Sequence, residues 1–239
     1  MPPTAVAAMG GLDRVAAAIP AYQAAASVAD VVRRTRALCD HVLVVDDGSD
    51  DATGRVAAAS GARVLRHPRN LGKGRALRTA FSDLFARGFA AVVTLDADGQ
   101  HVPEQIPRLL EAMAGGADLV IGSRERLFAL MHPVRRASNR WSSRAISCFA
   151  GRPFADVQSG FRVYTRSLVD RTGFPESRFD AESAVVVRAA RLGLRVVCVP
   201  VDLGFPDGRI TSHYRPVVDS LRIASAVVRA RLQAGARPG

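Results

Sequence analysis

The chain has 239 residues, 48% of them apolar and 6% aromatic, with a formal net charge of +11. This length can bury a substantial core, and the composition excludes a disordered tail. No stretch reaches the roughly 20 apolar residues needed to span a bilayer.

The elements alternate along the chain. "MPPTAVAAMGGLDR" is weakly apolar and too short for a secretory signal, so residues 1–13 read as a flexible lead-in to one domain over 14–235. Strand-length apolar runs are expected at 14–20, 41–47, 62–67, 90–96 and 118–123. Helical periodicity falls between them, near 24–38, 51–60, 72–88 and 103–114. In the third of these helices Ala76, Leu77, Ala80, Phe81, Leu84 and Phe85 share one face. Asp51, and Pro103 followed by Glu104, mark helix starts. Beyond Arg124 the rhythm breaks: a loop, an amphipathic helix near 134–149, a strand within 156–166, a helix over 181–193 and a last strand over 195–203. A polar loop and an amphipathic helix near 216–232 follow, and the "ARPG" end is expected to fray. Apolar strands without polar alternation predict an α/β fold, a mostly parallel sheet with helices on both faces.

Cys39, Cys148 and Cys198 are widely spaced and odd in number. They form neither a zinc pattern nor a disulfide framework, so each reads as a small core residue in a reducing compartment such as the cytoplasm. The positive charge is almost all arginine, Lys73 being the only lysine. An arginine excess suits phosphate-bearing substrates, anionic membranes or nucleic acid, and much of it is accounted for by solvated helix faces.

In such a sheet, ligands collect at the carboxyl ends of the strands. Those ends hold Pro20-Ala21-Tyr22, Asp46-Asp47-Gly48-Ser49, Asn70 to Gly74, Asp96-Ala97-Asp98-Gly99-Gln100 and Gly122-Ser123-Arg124. Taken singly, Asp46 and Asp47 read as a turn and helix cap, Asp96 and Asp98 as loop carboxylates, and Gly-Lys-Gly as a flexible turn. Taken together on successive strand ends, they are the residue types that bind a nucleoside diphosphate through a divalent metal. A carboxylate accepts from the donor edge of uracil or guanine. Asp98, with Gln100 as a neutral oxygen ligand, suits Mg²⁺ or Mn²⁺ rather than zinc. Glycines beside Lys73 allow a close approach to a ligand. The stretch matches neither a P-loop nor a dinucleotide fingerprint.

The motifs "IPAY" (19–22), "VVDDGSDDAT" (44–53), "NLGKGRAL" (70–77), "LDADGQHVPEQIP" (95–107), "VIGSR" (120–124), "SGFRVY" (159–164) and "GRITSHYR" (208–215) occur in this order. The sequence thereby resembles the inverting family 2 glycosyltransferases of GT-A fold, most closely the dolichol- or polyprenyl-phosphate mannose and glucose synthases. The resemblance implies transfer of a hexose from a GDP- or UDP-sugar to a polyprenyl phosphate, with Mg²⁺ or Mn²⁺ as cofactor. Pro20, Ala21, Tyr22, Asp47 and Lys73 would line the nucleotide pocket, and Asp96 would contact the nucleoside end. Asp98 and Gln100 would bind the metal, and Arg124 would face a donor or acceptor phosphate. Arg209 and Ser212 would sit on a loop closing over the diphosphate. There the chain departs from the pattern, carrying His213 where many relatives have lysine.

Arg135, Arg136 and Arg140 are candidates to receive an acceptor phosphate, or else a solvated helix face. Asp156 and Glu182 are candidate general bases, required for a hydroxyl acceptor and scarcely for an ionised phosphate. His101 reads as support for the metal site, and Trp141 as packing or a membrane-interface contact. The helices near 134–149 and 216–232 would form a basic patch for peripheral contact with the inner face of an anionic membrane. It comprises Arg135, Arg136, Arg140, Arg144, Arg222 and Arg229 beside Trp141, Ile146, Phe149 and Leu221. Two readings compete with the lipid acceptor: the same donor site serving a soluble or glycan hydroxyl, and a basic binding module for nucleic acid or membrane. The latter lacks aromatic interleaving or a groove-reading element.

Overall fold

The computed structural model describes residues 14–124, 133–154, 156–178, 180–202 and 204, with the helical backbone alone for 133–138. The lead-in, the loop with Arg209, Ser212 and His213, and the helix near 216–232 lie outside the described residues.

Seven strands form one sheet: β1 (Val15–Ala21), β2 (Val42–Asp46), β3 (Arg63–Arg66), β4 (Ala91–Thr94), β5 (Leu119–Ser123), β6 (Arg162–Thr165) and β7 (Val196–Pro200). Their spatial order is β3-β2-β1-β4-β6-β5-β7. All neighbours pair in parallel except β6, which runs antiparallel to both β4 and β5. β1 is almost wholly buried, as continuous apolar strands covered on both faces require. Its side chains alternate between two cores. Ala16 and Ala18 join the core built with α3 (Lys73–Ala86), α5 (Pro133–Ala150), α6 (Arg166–Thr172) and α7 (Asp180–Arg191). Val15, Ala17 and Ile19 join the core built with α1 (Val28–Arg36), α2 (Thr53–Ala59) and α4 (Ile106–Ala114). The α3 face read from the sequence is buried at each of its six positions.

Three departures position the site. α1 begins at Val28 rather than near 24, because the N–H groups of Gln23, Ala24 and Ala25 bond the loop after β2 instead of turning into a helix. The expected strand within 156–166 pairs only from Arg162, leaving 156–161 as a loop. Since β6 is antiparallel, this loop precedes the strand yet lies on the same rim as the carboxyl ends of β4 and β5, with Thr94 and Ile121 both opposite Arg162. α6 was not foreseen. Seven residues show too little periodicity, but Thr165 caps it by accepting from Leu168 N–H at 3.1 Å, and Gly173 ends it at φ +65°.

Candidate active site

The loops after β1 and β2 are stapled together. Gln23, Ala24 and Ala25 donate N–H groups to Ser49 Oγ (3.0 Å), Thr53 Oγ1 (2.7 Å) and Asp51 Oδ2 (3.1 Å). Pro20, Ala21 and Tyr22 end on this ledge, Ala21 in register with Asp46. Asp46 is buried; one oxygen accepts from Ser49 N–H at 2.9 Å, and Oδ2 finds no hydrogen bond among the described residues.

Asp47 faces the chain itself. Its Oδ1 accepts from Leu71 N–H (2.9 Å) and lies 2.7 Å from His67 Nδ1, while Oδ2 accepts from Gly72 N–H (2.7 Å). His67 Nε2 lies 3.0 Å from Thr79 Oγ1 on α3. The residue expected in the nucleotide pocket thus holds the loop that delivers Lys73, and His67, unmarked in the sequence, ties that loop to its helix.

Lys73 opens α3 and is nearly buried, its Nζ 2.6 Å from Asp96 Oδ1 and 3.0 Å from Glu182 Oε2. Burial disfavours the ammonium, but the two carboxylates outweigh it and raise its pKa. The flanking glycines serve a different contact from the one expected. A Cβ on Gly72 (φ +97°) would lie 2.4 Å from Ser177 O, and one on Gly74 would lie 2.7 Å from Glu176 O. Their close approach is to the chain's own backbone, leading into α7 and Glu182. Arg75, the neighbour, is exposed.

Gly160 closes this cluster from the loop before β6. A Cβ there would stand 2.6 Å from Lys73 Nζ and 2.7 Å from Asp96 Oδ2. These are side-chain ends, which can move, so Gly160→Ala is expected to fold while displacing the ion pair. A displacement of about 1 Å costs up to ~100-fold in rate. The expected result is a transfer rate lowered at least ~10-fold with a near-normal melting temperature, and a wild-type rate would refute it. Beneath the cluster, Arg162 is fully buried and donates to three carbonyls, Ser159 O, Glu182 O and Val157 O, each at 2.7 Å. It clamps the loop to the first turn of α7. Glu182 Oε1 is buried without a hydrogen-bond partner, 4.0 Å from Arg162 Nε.

His101 is buried and stacks on Phe161 with centroids 5.3 Å apart. Its Nδ1 accepts from Asp96 N–H at 3.0 Å, so the neutral ring carries its proton on Nε2, 3.8 Å from Asp96 Oδ2. Burial pushes His101 down to about 4 despite Asp96. For Asp96, burial opposes ionisation, yet Lys73, with His101 and Arg124, holds it at about 2. Both folded values lie below the ordinary ones of 6.5 and 3.8, so the unfolded chain binds more protons as pH falls. Stability is therefore complete above pH 6.5, falls first through His101 down to pH 4, then through Asp96. The His101 step is on the order of 3 kcal/mol at most. Denaturant titrations across this range should show that fall in wild type and a flatter profile in His101→Asn, which keeps an acceptor near Asp96 N–H. Equal slopes would contradict the assignment.

Asp98 lies half-buried on the loop after β4, accepting from Gln100 N–H at 3.0 Å and Gln100 Nε2 at 2.9 Å. Among the described residues no three His, Cys, Asp or Glu are grouped to hold a metal. The donor set at Asp98 and Gln100, one carboxylate and one amide, both half-buried, fits a hard cation that takes its remaining oxygens from substrate phosphates and water. Arg124 and Asp156 form a buried pair. Arg124 donates from Nε (2.8 Å), Nη2 (3.1 Å) and its backbone N–H (3.0 Å), and Gln158 N–H adds a fourth bond at 3.1 Å. Burial raises the carboxyl pKa, but Arg124 outweighs it and lowers the value. Asp156 is thus buried as the partner of Arg124.

Arg135 and Arg136 lie on α5, and Arg140 is exposed there. Two patch residues of α5 face inward: Ile146 is in the core and Phe149 packs against it, whereas Trp141 is exposed. Of the cysteines only Cys39 is buried; Cys148 is exposed and Cys198 intermediate.

Residues 17–173 match the family described as Glycosyl transferase family 2. The chain is 34% identical over 208 residues to Glycosyltransferase AglJ of Haloferax volcanii, covering 84% of this chain and 66% of that relative. It is 35% identical over 201 residues to Undecaprenyl-phosphate mannosyltransferase of Micrococcus luteus, covering 79% and 82%. Identity to Polyprenol monophosphomannose synthase of Mycolicibacterium smegmatis is 32% over 197 residues, covering 77% and 74%. Among solved structures, glucosyl-3-phosphoglycerate synthase from Mycobacterium tuberculosis in complex with Mn²⁺, uridine-diphosphate and glucosyl-3-phosphoglycerate has a TM-score of 0.65 at 23% identity, covering 98% of this chain and 84% of that one. The chain belongs to glycosyltransferase family 2, and it is a glycosyltransferase of GT-A fold.

Proposed function

We propose that this glycosyltransferase moves a hexose, mannose or glucose, from a GDP- or UDP-sugar to a polyprenyl phosphate, with inversion, working peripherally at a membrane. The observation that carries the acceptor class is the similarity, over three quarters of the chain, to two relatives named for undecaprenyl-phosphate and polyprenol monophosphomannose chemistry. The geometry supports it. Asp156 is occupied by Arg124 and Glu182 by Lys73, and an acceptor phosphate, already ionised, needs no strong base.

In this reading the ledge of Pro20, Ala21 and Tyr22 receives the nucleoside. Asp96, held ionised by Lys73, presents an acceptor to the sugar nucleotide. Asp98 and Gln100 would hold Mg²⁺ or Mn²⁺, which when bound neutralises charge on the departing diphosphate. Arg124, fixed by Asp156, faces the phosphate side of the cleft; Arg209 and Ser212 complete it, with Arg135, Arg136 and Arg140 as acceptor contacts. Thermal melting with GDP- and UDP-hexoses, with and without Mn²⁺, tests the donor half. A ligand at 100 times its Kd stabilises the native state by about 2.7 kcal/mol. One nucleotide sugar should raise the melting temperature only with metal present. No response to any of them, with a response to RNA, would favour the basic binding module.

A further inference from the structure

Trp141 is 74% exposed, the only large apolar side chain exposed among the described residues. Around it on α5, Arg140, Arg144, Ala145 and Cys148 are exposed, while Asn139, Ser143, Ile146 and Ala150 turn inward. Positions 141, 144, 145 and 148 follow the spacing that places residues on one helix face. The helix carries Arg135, Arg136, Arg140 and Arg144 and no carboxylate. Some surface arginines elsewhere pair with acids, as Arg34 does with Asp30 and Glu104, Arg63 with Asp83 and Arg166 with Asp170. Among the described residues, neither Arg140 nor Arg144 forms an ion pair.

We propose that this face of α5 docks on an anionic bilayer, with the Trp141 ring at headgroup level and Arg140 and Arg144 on lipid phosphates. A tryptophan is most stable where one end of the ring is in an apolar layer and its N–H stays wet, the condition of a membrane interface. Unpaired arginines beside it supply the charge complement to an anionic surface, and their guanidinium groups bind phosphate in bidentate fashion. The inward side of the same helix leads to the site: Ser143 accepts at 3.4 Å from Val157 N–H, next to the Asp156 that holds Arg124. One helix thus carries the docking face outside and the phosphate side of the site within. The inference rests on the lipid-phosphate reading of the acceptor, and the two fail separately.

Because Trp141 is the only tryptophan in the chain, its emission reports this surface alone. The full chain is titrated with phosphatidylglycerol or phosphatidylcholine vesicles at low and high salt. The expected result is a shift of emission to shorter wavelength, with quenching by brominated lipid, on phosphatidylglycerol at low salt only. Arg144→Glu should weaken this binding about 10-fold or more. Trp141→Ala, followed by co-sedimentation, should weaken it too, and both variants should keep the wild-type rate on a short, water-soluble polyprenyl phosphate. Co-sedimentation without an emission change would mean another face docks, and overturns the proposal. So would an emission shift driven by protein concentration alone, indicating a second copy, or one produced by RNA and not by vesicles. Transfer to the short acceptor with no vesicle response overturns the docking face alone. A vesicle response without transfer to polyprenyl phosphate overturns the acceptor reading and leaves the docking face standing.

Discussion

Replacing Lys73 with alanine is expected to lower stability and transfer together. The ammonium lies 2.6 Å from Asp96 and 3.0 Å from Glu182, with 13% of its side chain exposed. Removing it leaves two largely buried carboxylates facing each other, and breaking such a pair costs about 3–5 kcal/mol. The remaining cations, Arg124 near Asp96 and Arg162 near Glu182, are already bound to Asp156 and to backbone carbonyls. Asp96 should then hold its proton more tightly, and the acceptor presented to the nucleotide sugar is degraded. A loss of roughly 100-fold in transfer rate is expected, the scale of removing one preorganised electrostatic group. Arg75→Ala, on the exposed flank of the same turn, should stay within about 0.5 kcal/mol of wild type and keep its rate. Equal, small effects of the two changes in melting and rate measurements would show that the cluster does not matter to function.

Asp98→Asn should separate chemistry from folding. The half-buried side chain lies on the loop after β4, and asparagine keeps an oxygen to accept from Gln100 N–H, so stability is expected within about 0.5 kcal/mol of wild type. What disappears is the charge offered to a cation. Turnover should fall roughly 100- to 1,000-fold, with higher Mn²⁺ recovering part of it. A variant with full activity, or wild type undiminished in excess chelator, would remove the metal from the account.

Much of this arrangement is legible in the sequence because strand ends in a parallel sheet converge on one rim. Apolar runs without alternation give the strands, and the residues that follow them, Asp46, Asp96 and Arg124 among them, reach the site through topology alone. What could not be read depends on partners brought from far along the chain. Gly-Lys-Gly reads equally as a ligand loop, and only the backbone at 176–178 shows what its glycines must clear. Arg162 reads as one more strand residue, since nothing local says that β6 reverses direction and buries it under Glu182. Asp47 reads as a turn or pocket residue and Asp156 as a candidate base, while in the fold one is filled by loop N–H groups and the other by Arg124. Cys148 falls in an apolar run, but helical rotation carries it to the outer face.

The proposed reaction carries a hexose from a nucleotide sugar to a lipid phosphate. The most direct measurement incubates the full chain with each GDP- and UDP-hexose, Mn²⁺ and a short polyprenyl phosphate, and determines the mass and anomeric configuration of the lipid product. The expected product is one glycosyl phosphate lipid, inverted relative to the donor, from one donor, with roughly 100- to 1,000-fold less from Asp98→Asn. Transfer only to a hydroxyl acceptor, or a lipid product with retained configuration, would contradict it.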